Sequence, residues 1–117
     1  MSIGLEDIRR WATALPEVEE ATHFRLPSFK VRGKPFAGVE KGGATAIVSV
    51  DQAEAEAVVA AEPEGFEEVW RNANGRIFVG LRVDLSRVAA GHMEELVGKA
   101  WRHKAPKRLV AAYDAEG

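Results

Sequence analysis

Between His23 and Val50 the apolar side chains recur at every second position, and the run is broken only by Gly33-Lys34-Pro35 and Lys41-Gly42-Gly43. A period of two marks strands. Breaks this short join antiparallel neighbours, because a parallel pair needs a crossover of a dozen residues or more. Phe24 and Leu26 alternate, then Phe29 and Val31, then Ala44, Ala46 and Val48 against Thr45, Ile47 and Ser49. Pro27 and Pro35 cannot donate to a ladder, so each belongs at a strand end or on an edge. This segment alone excludes an all-helical chain and a doubly wound parallel sheet.

Helical spacing flanks the strands. Leu5, Ile8, Ala12 and Leu15 recur on one face and Trp11 widens it, with Ser2 as N-cap and Pro16 as stop. After Val50, Asp51 is placed to N-cap a second helix, and Glu54 three residues on completes the capping-box pattern. Ala53, Ala57, Ala60 and Ala61 would form its buried stripe with Val58 beside them, and Pro63-Glu64-Gly65 ends it. Two further strands, Phe66 to Arg71 and Arg76 to Val83, are joined by Asn72-Ala73-Asn74-Gly75, where the Asn-Gly pair suits positive φ. Ile77, Val79, Leu81 and Val83 are expected on one face, and Arg76, Phe78 and Arg82 on the other.

From Asp84 onward the pattern is helical. Met93, Leu96, Val97, Ala100 and Trp101 make the apolar stripe, and Pro106 interrupts it before Leu109, Ala112 and Tyr113. With no βαβ alternation, the expected class is α+β: an antiparallel sheet of about five strands packed on N- and C-terminal helices. At 117 residues, 1–117 fits a single domain.

The inventory for catalysis is thin. Zero cysteines remove thiolate nucleophiles, disulfides and the usual zinc clusters together, and fit a reducing compartment such as the cytoplasm. The four serines, Ser2, Ser28, Ser49 and Ser86, stand in no nucleophile-elbow context. His23, His92 and His103 lie far apart, and no HExxH or DxDxDG spacing occurs. Gly42-Gly43 and Gly33-Lys34 are too short for phosphate loops. A non-enzymatic protein without metal or cofactor is expected. The charged opening MSIGLEDIRRW holds no long apolar run, so neither signal peptide nor membrane span is expected, and nothing calls for more than a monomer.

The charges are segregated along the chain. Asp51 to Glu68 holds seven acids and no base, whereas Leu96 to Tyr113 holds Lys99, Arg102, Lys104, Lys107 and Arg108 and no acid. Arg25 to Lys34 adds Arg25, Lys30, Arg32 and Lys34, again with no acid. Lys30, Arg32 and Lys34 alternate with Phe29 and Val31 and would share the outward face of a hairpin. Lys99, Arg102 and His103 would fan into solvent, where the end of a helix favours cations through its dipole. The net charge of −2 opposes a strongly basic nucleic-acid binder, so the case depends on where these segments lie. Trp70, beside the Asn-Gly turn, could stack on a base or ligand ring, or could simply pack on a sheet face.

Three stretches carry a family resemblance: ALPEVEEATHFRLPSFKVRGKPFA (Ala14 to Ala37), VDL (Val83 to Leu85) and ELVGKAWRHKAPKRL (Glu95 to Leu109). Together they resemble the MmcQ/YjbR family of small bacterial proteins. The resemblance implies a frataxin-type sandwich of helices on an antiparallel sheet, and DNA binding through two hairpins described as a double wing. It places the basic hairpin at Phe29, Lys30, Val31, Gly33, Lys34 and Phe36, and the C-terminal motif at Ala105, Pro106, Lys107 and Arg108. The second wing would be Trp70 to Ile77 with Arg71 and Arg76. One reading is therefore nonspecific DNA binding through Lys30, Arg32, Lys34, Arg71 and Arg76, helped by Lys104, Lys107 and Arg108. The other is a module that binds a protein or small ligand on the sheet surface near Trp70.

Overall fold

The computed structural model describes residues 3–72 and 74–116, and His23 by its backbone alone. In chain order the elements are α1 (Leu5–Thr13), β1 (Val18–His23), β2 (Leu26–Val31), β3 (Lys34–Val39), β4 (Thr45–Val48), α2 (Gln52–Ala61), β5 (Phe66–Asn72), β6 (Arg76–Asp84), α3 (Ala90–Lys104) and α4 (Lys107–Glu116). The strands form one sheet in the order β1-β2-β3-β4-β6-β5, antiparallel at every pairing. No described helix is long and apolar enough to cross a membrane.

The sheet has six strands rather than about five. The additional one, β1, is an edge strand whose sequence VEEATH lacks alternating large apolar residues. Its turn into β2 contains Phe24 and Arg25, both at positive φ, so Phe24 caps a tight turn instead of alternating with Leu26 in a strand. The β2–β3 turn uses Arg32 and Gly33 in the same way, leaving Lys34 and Pro35 inside β3. Consecutive positive φ values match the right-handed twist of two-residue hairpins. Pro27 and Pro35 occupy the second positions of β2 and β3, at strand ends as expected.

Cross-strand partners share a face of the sheet. Phe29, Ala37, Val48 and Leu81 stand in one register row, and Val39, Ala46, Val83 and Phe66 in another; all are buried. This face meets the helical layer: α1 packs on β1, α3 on β3 and α2 on β5. Helix α3 lies centrally, and Met93, Leu96, Val97, Ala100 and Trp101 are fully buried on the expected stripe, each worth about 1.5–3 kcal/mol if large and apolar. The opposite face carries the row Ala21, Ser28, Gly38, Ile47, Arg82 and Glu67.

Four details depart from the sequence pattern. Gly4, not Ser2, is the N-cap of α1, its N–H donating to Asp7 Oδ2 at 2.9 Å; Ser2 lies outside the described residues. Helix α2 buries Ala55 and Val58, while Ala53, Ala57, Ala60 and Ala61 are exposed. Alanines surround this helix, so the larger Val58 and Val59 choose the buried side. Residues 85–89 form a turn before α3, with Leu85 and Val88 buried. Finally, Val69 pairs with Gly80 but Trp70 pairs with Phe78, which leaves Val79 as the extra residue of a β-bulge. The bulge reverses the alternation beyond it. Phe78 joins the core face with Leu81 and Val83, and Ile77 turns to the other side, where it is 41% exposed.

Candidate nucleic-acid interface

Strand direction decides which loops meet. β2, β4 and β5 run the same way, so the Arg32-Gly33 turn and the turn after Asn72 emerge at one end of the sheet. The C-terminal end of α3 reaches that end too. Trp101 Nε1 donates to the Pro16 carbonyl at 3.1 Å, just before β1, and His103 Nδ1 lies 2.9 Å from the Ser49 carbonyl, just after β4. A carbonyl only accepts, so His103 carries its proton on Nδ1 there. The expected cations from both hairpins and from Lys104, Lys107 and Arg108 thus lie toward one end. Arg25, in the turn between β1 and β2, lies at the other.

The cations are held differently. Arg32 donates to Glu17, and this hydrogen bond holds the Glu17 carboxyl below its ordinary range. Lys30 and Lys34 do not share a face, contrary to the expected alternation: the two-residue turn sets Lys34 opposite the core-facing Val31, and Lys30 opposite Pro35. Lys99, Arg102 and His103 do not simply fan into solvent. Lys99 bridges Glu54 at 3.1 Å and Glu95 at 3.2 Å, which pushes its pKa up, and Arg102 pairs with Asp114 at 2.6 Å. Glu54 is thereby withdrawn from the expected capping box; Asp51 accepts the Glu54 N–H at 2.8 Å without a reciprocal bond.

In the β5–β6 hairpin, the bulge brings Arg76, Trp70 and Phe78 to the same face. The Arg76 guanidinium carbon lies 4.4 Å from the Trp70 ring centroid, and Phe78 meets that ring in a T-shaped contact at 5.3 Å. Trp70 Nε1 donates to Glu68 Oε1 at 3.3 Å. Among the described residues, Arg76 forms no ion pair, and neither do Lys34, Arg71, Lys104, Lys107 and Arg108; Lys30 forms none either but stands opposite Glu19 of β1. By contrast, Arg9, Arg10, Arg82 and Arg87 are each in ion pairs. Among the described residues, Arg25 and Lys41 form no ion pair either, but they lie at the far end of the sheet from the β2–β3 and β5–β6 turns.

The acidic run crosses the molecule rather than facing the cations as a block. It starts at their end, where Asp51 is engaged in capping and Glu54 in binding Lys99, and descends α2 to Glu62 and Glu64 at the opposite end. A shallow cleft of about 340 Å³ between α2 and α3 is lined by Val50, Asp51, Glu54, Lys99, Arg102 and His103, so its charges are of both signs. No group of three or more metal-ligating side chains occurs among the described residues. On the opposite face of the sheet, Arg82 donates to Glu40 at 2.8 Å and also to Glu67, and the hydrogen bond from Arg82 holds the Glu40 carboxyl low, with help from Thr45.

The pairings escaped the sequence because each joins distant segments: Glu17 to Arg32, Glu54 to Lys99, Asp114 to Arg102. Of the pairings at the cationic end, Glu95 to Lys99, four residues apart on one helix, had a local signal.

With this geometry in place, comparison with known proteins is informative about family and fold. The YjbR family model matches residues 13–103. The crystal structure of Deinococcus radiodurans protein DR2400, whose domain is DUF419, superposes with a TM-score of 0.70 at 20% identity, covering 84% of this chain and 75% of that one. At that identity the match establishes a shared fold. No curated protein matches the chain.

Proposed function

Since the chain belongs to the YjbR family, we propose that it is a non-enzymatic module that binds DNA without sequence preference, through the end of the sheet where its hairpins emerge. The supporting observation is the collection of cations there that form no ion pair among the described residues: Lys34, Arg71, Arg76, Lys104, Lys107 and Arg108, with Lys30 alone standing opposite an acid, Glu19 of β1. A protein of net charge −2 needs such local separation to attract a phosphate backbone. The apolar stripe of α3 is buried, so that face of the helix is not available to read bases. Contacts with phosphate position a protein without reading sequence.

The test is fluorescence anisotropy with a labelled duplex at a series of salt concentrations. If about five phosphates are neutralised, log K falls against log salt with a slope near −4.5. Absence of binding at low salt would remove this reading. It would favour the second one, a protein- or small-ligand-binding module using the other sheet face, where Ala21, Ser28, Gly38 and Ile47 stand in a row of small and apolar side chains.

A further inference from the structure

We infer that the β5–β6 hairpin selects double-stranded over single-stranded DNA, with Arg76 as its phosphate fork and Trp70 as the residue that positions it. The inference rests on the DNA reading above and specifies its substrate class. Single strands are held by a basic groove combined with aromatic faces on which successive bases stack. At the cationic end, Trp70, Trp101, Tyr113 and Trp11 each already pack against another side chain, and of these only Tyr113 is exposed. Trp70 lies beneath Arg76 at 4.4 Å and against Phe78 at 5.3 Å. Trp101 is fully buried, and Tyr113 packs T-shaped on it with Arg102 at 5.8 Å. Trp11 is half-buried beneath Arg10 at 5.7 Å. Phe24, the most exposed aromatic, stands at the opposite end of the sheet.

What the hairpin offers instead is a pre-oriented cation. An indole beneath a guanidinium restricts its rotation and leaves its N–H edges available for two parallel bonds to phosphate. Glu68 accepts the indole N–H, which fixes the ring that carries Arg76. On the other side of the hairpin, Arg71 stands opposite Ile77, so each face presents one arginine. From the shared register row, β5 runs four residues to Asn72 while β2 runs two to Val31, so this hairpin projects about 7 Å further. An arginine on each face of a projecting ribbon suits the paired phosphate ridges of a duplex, which also carries twice the charge per unit length of one strand.

Anisotropy at one fixed low salt concentration, with a hairpin duplex and a single strand of equal length, tests the inference. The duplex should bind about tenfold more tightly or better. Arg76→Lys keeps the charge but loses the fork, and should weaken duplex binding about tenfold. Trp70→Ala should weaken it similarly with little change in salt slope, and Trp70→Phe, which keeps a ring under Arg76, should restore most of the affinity. The Arg76 Nε–H resonance should shift on titration with duplex. Equal or tighter single-strand binding, or an Arg76→Lys protein that binds duplex like the parent, would overturn the inference while leaving DNA binding intact. No binding to either probe would overturn the DNA reading and this inference with it.

Discussion

Arg32 at the turn of β2–β3 and Arg76 at the start of β6 lie at the same end of the sheet, and their surroundings differ in kind. Arg32 is held by a carboxylate, that of Glu17, which follows the Pro16 carbonyl that receives the Trp101 indole. Its charge is neutralised in joining the hairpin to the start of β1. Arg76 is held by an aromatic ring, and its charge remains available. The contrast shows that a count of cations is a poor measure of a binding surface. What matters is whether the group that orders a cation also cancels it. An acid does both; an indole orders without cancelling.

The largest expected perturbation attacks the sheet that both hairpins share. A Cβ on Gly80 would stand 2.5 Å from the Val48 carbonyl oxygen and 3.1 Å from Ser49 Cα, both backbone atoms. Gly80→Ala should therefore destabilise the fold by about 3 kcal/mol, the upper part of the usual range for overpacking, measured by urea unfolding. On the proposed DNA-binding function, both hairpins should lose affinity for duplex together. Gly75 at φ +115 has open space around it, so its substitution is costly through backbone strain alone and should disturb only the β5–β6 tip.

A smaller change would erase the contrast between the hairpins. Glu17→Gln removes the charge that neutralises Arg32. The slope of log K against log salt should then steepen by about 0.9, the increment for one additional phosphate contact, with the melting temperature little altered. An unchanged slope would mean that Arg32 cannot reach phosphate even when released.

Acidity should produce the smallest effect, and on stability rather than on the salt slope. Glu17, Glu20, Glu40, Asp84 and Asp114 are all held below their ordinary pKa by hydrogen bonds, from Arg32, Arg9, Arg82, Ser86 and Arg102 respectively. A depressed carboxyl contributes stability that is fully present above its unfolded pKa and is lost as pH falls through the folded one. Thermal stability should thus be flat near neutrality and decline below about pH 4. Glu40, partly withdrawn from water between Arg82 and Thr45, should contribute about 1 kcal/mol of this, so Glu40→Gln should blunt the decline. If the acid limb is unchanged in that variant, the clamp around Arg82 contributes nothing to it.

How much of this was legible in the sequence follows from size and distance. The α3 stripe was readable because Met93, Leu96, Val97 and Trp101 are large and leave one possible buried face. Helix α2 was misread because its alanines suit several faces equally. Strand β1 was missed because an edge strand with Glu19 and Glu20 has little alternation to display, and charge on an edge guards against stray pairing. The bulge at Val79 changes register without changing composition, so Phe78 and Ile77 exchanged faces unseen. For the candidate interface, the cations and both hairpins were readable, but neither the pairing of Arg32 with Glu17 nor the stack of Arg76 on Trp70 was, since both depend on register.

The central claim is that Arg76 of the β5–β6 hairpin supplies free charge and Arg32 of the β2–β3 turn does not. Salt-dependent duplex affinities of Arg32→Ala and Arg76→Ala, measured side by side with the parent, test it most directly. The account predicts that Arg76→Ala makes the slope shallower by about 0.9, while Arg32→Ala leaves it at the parental value. A slope that falls for Arg32→Ala and stays unchanged for Arg76→Ala would contradict it.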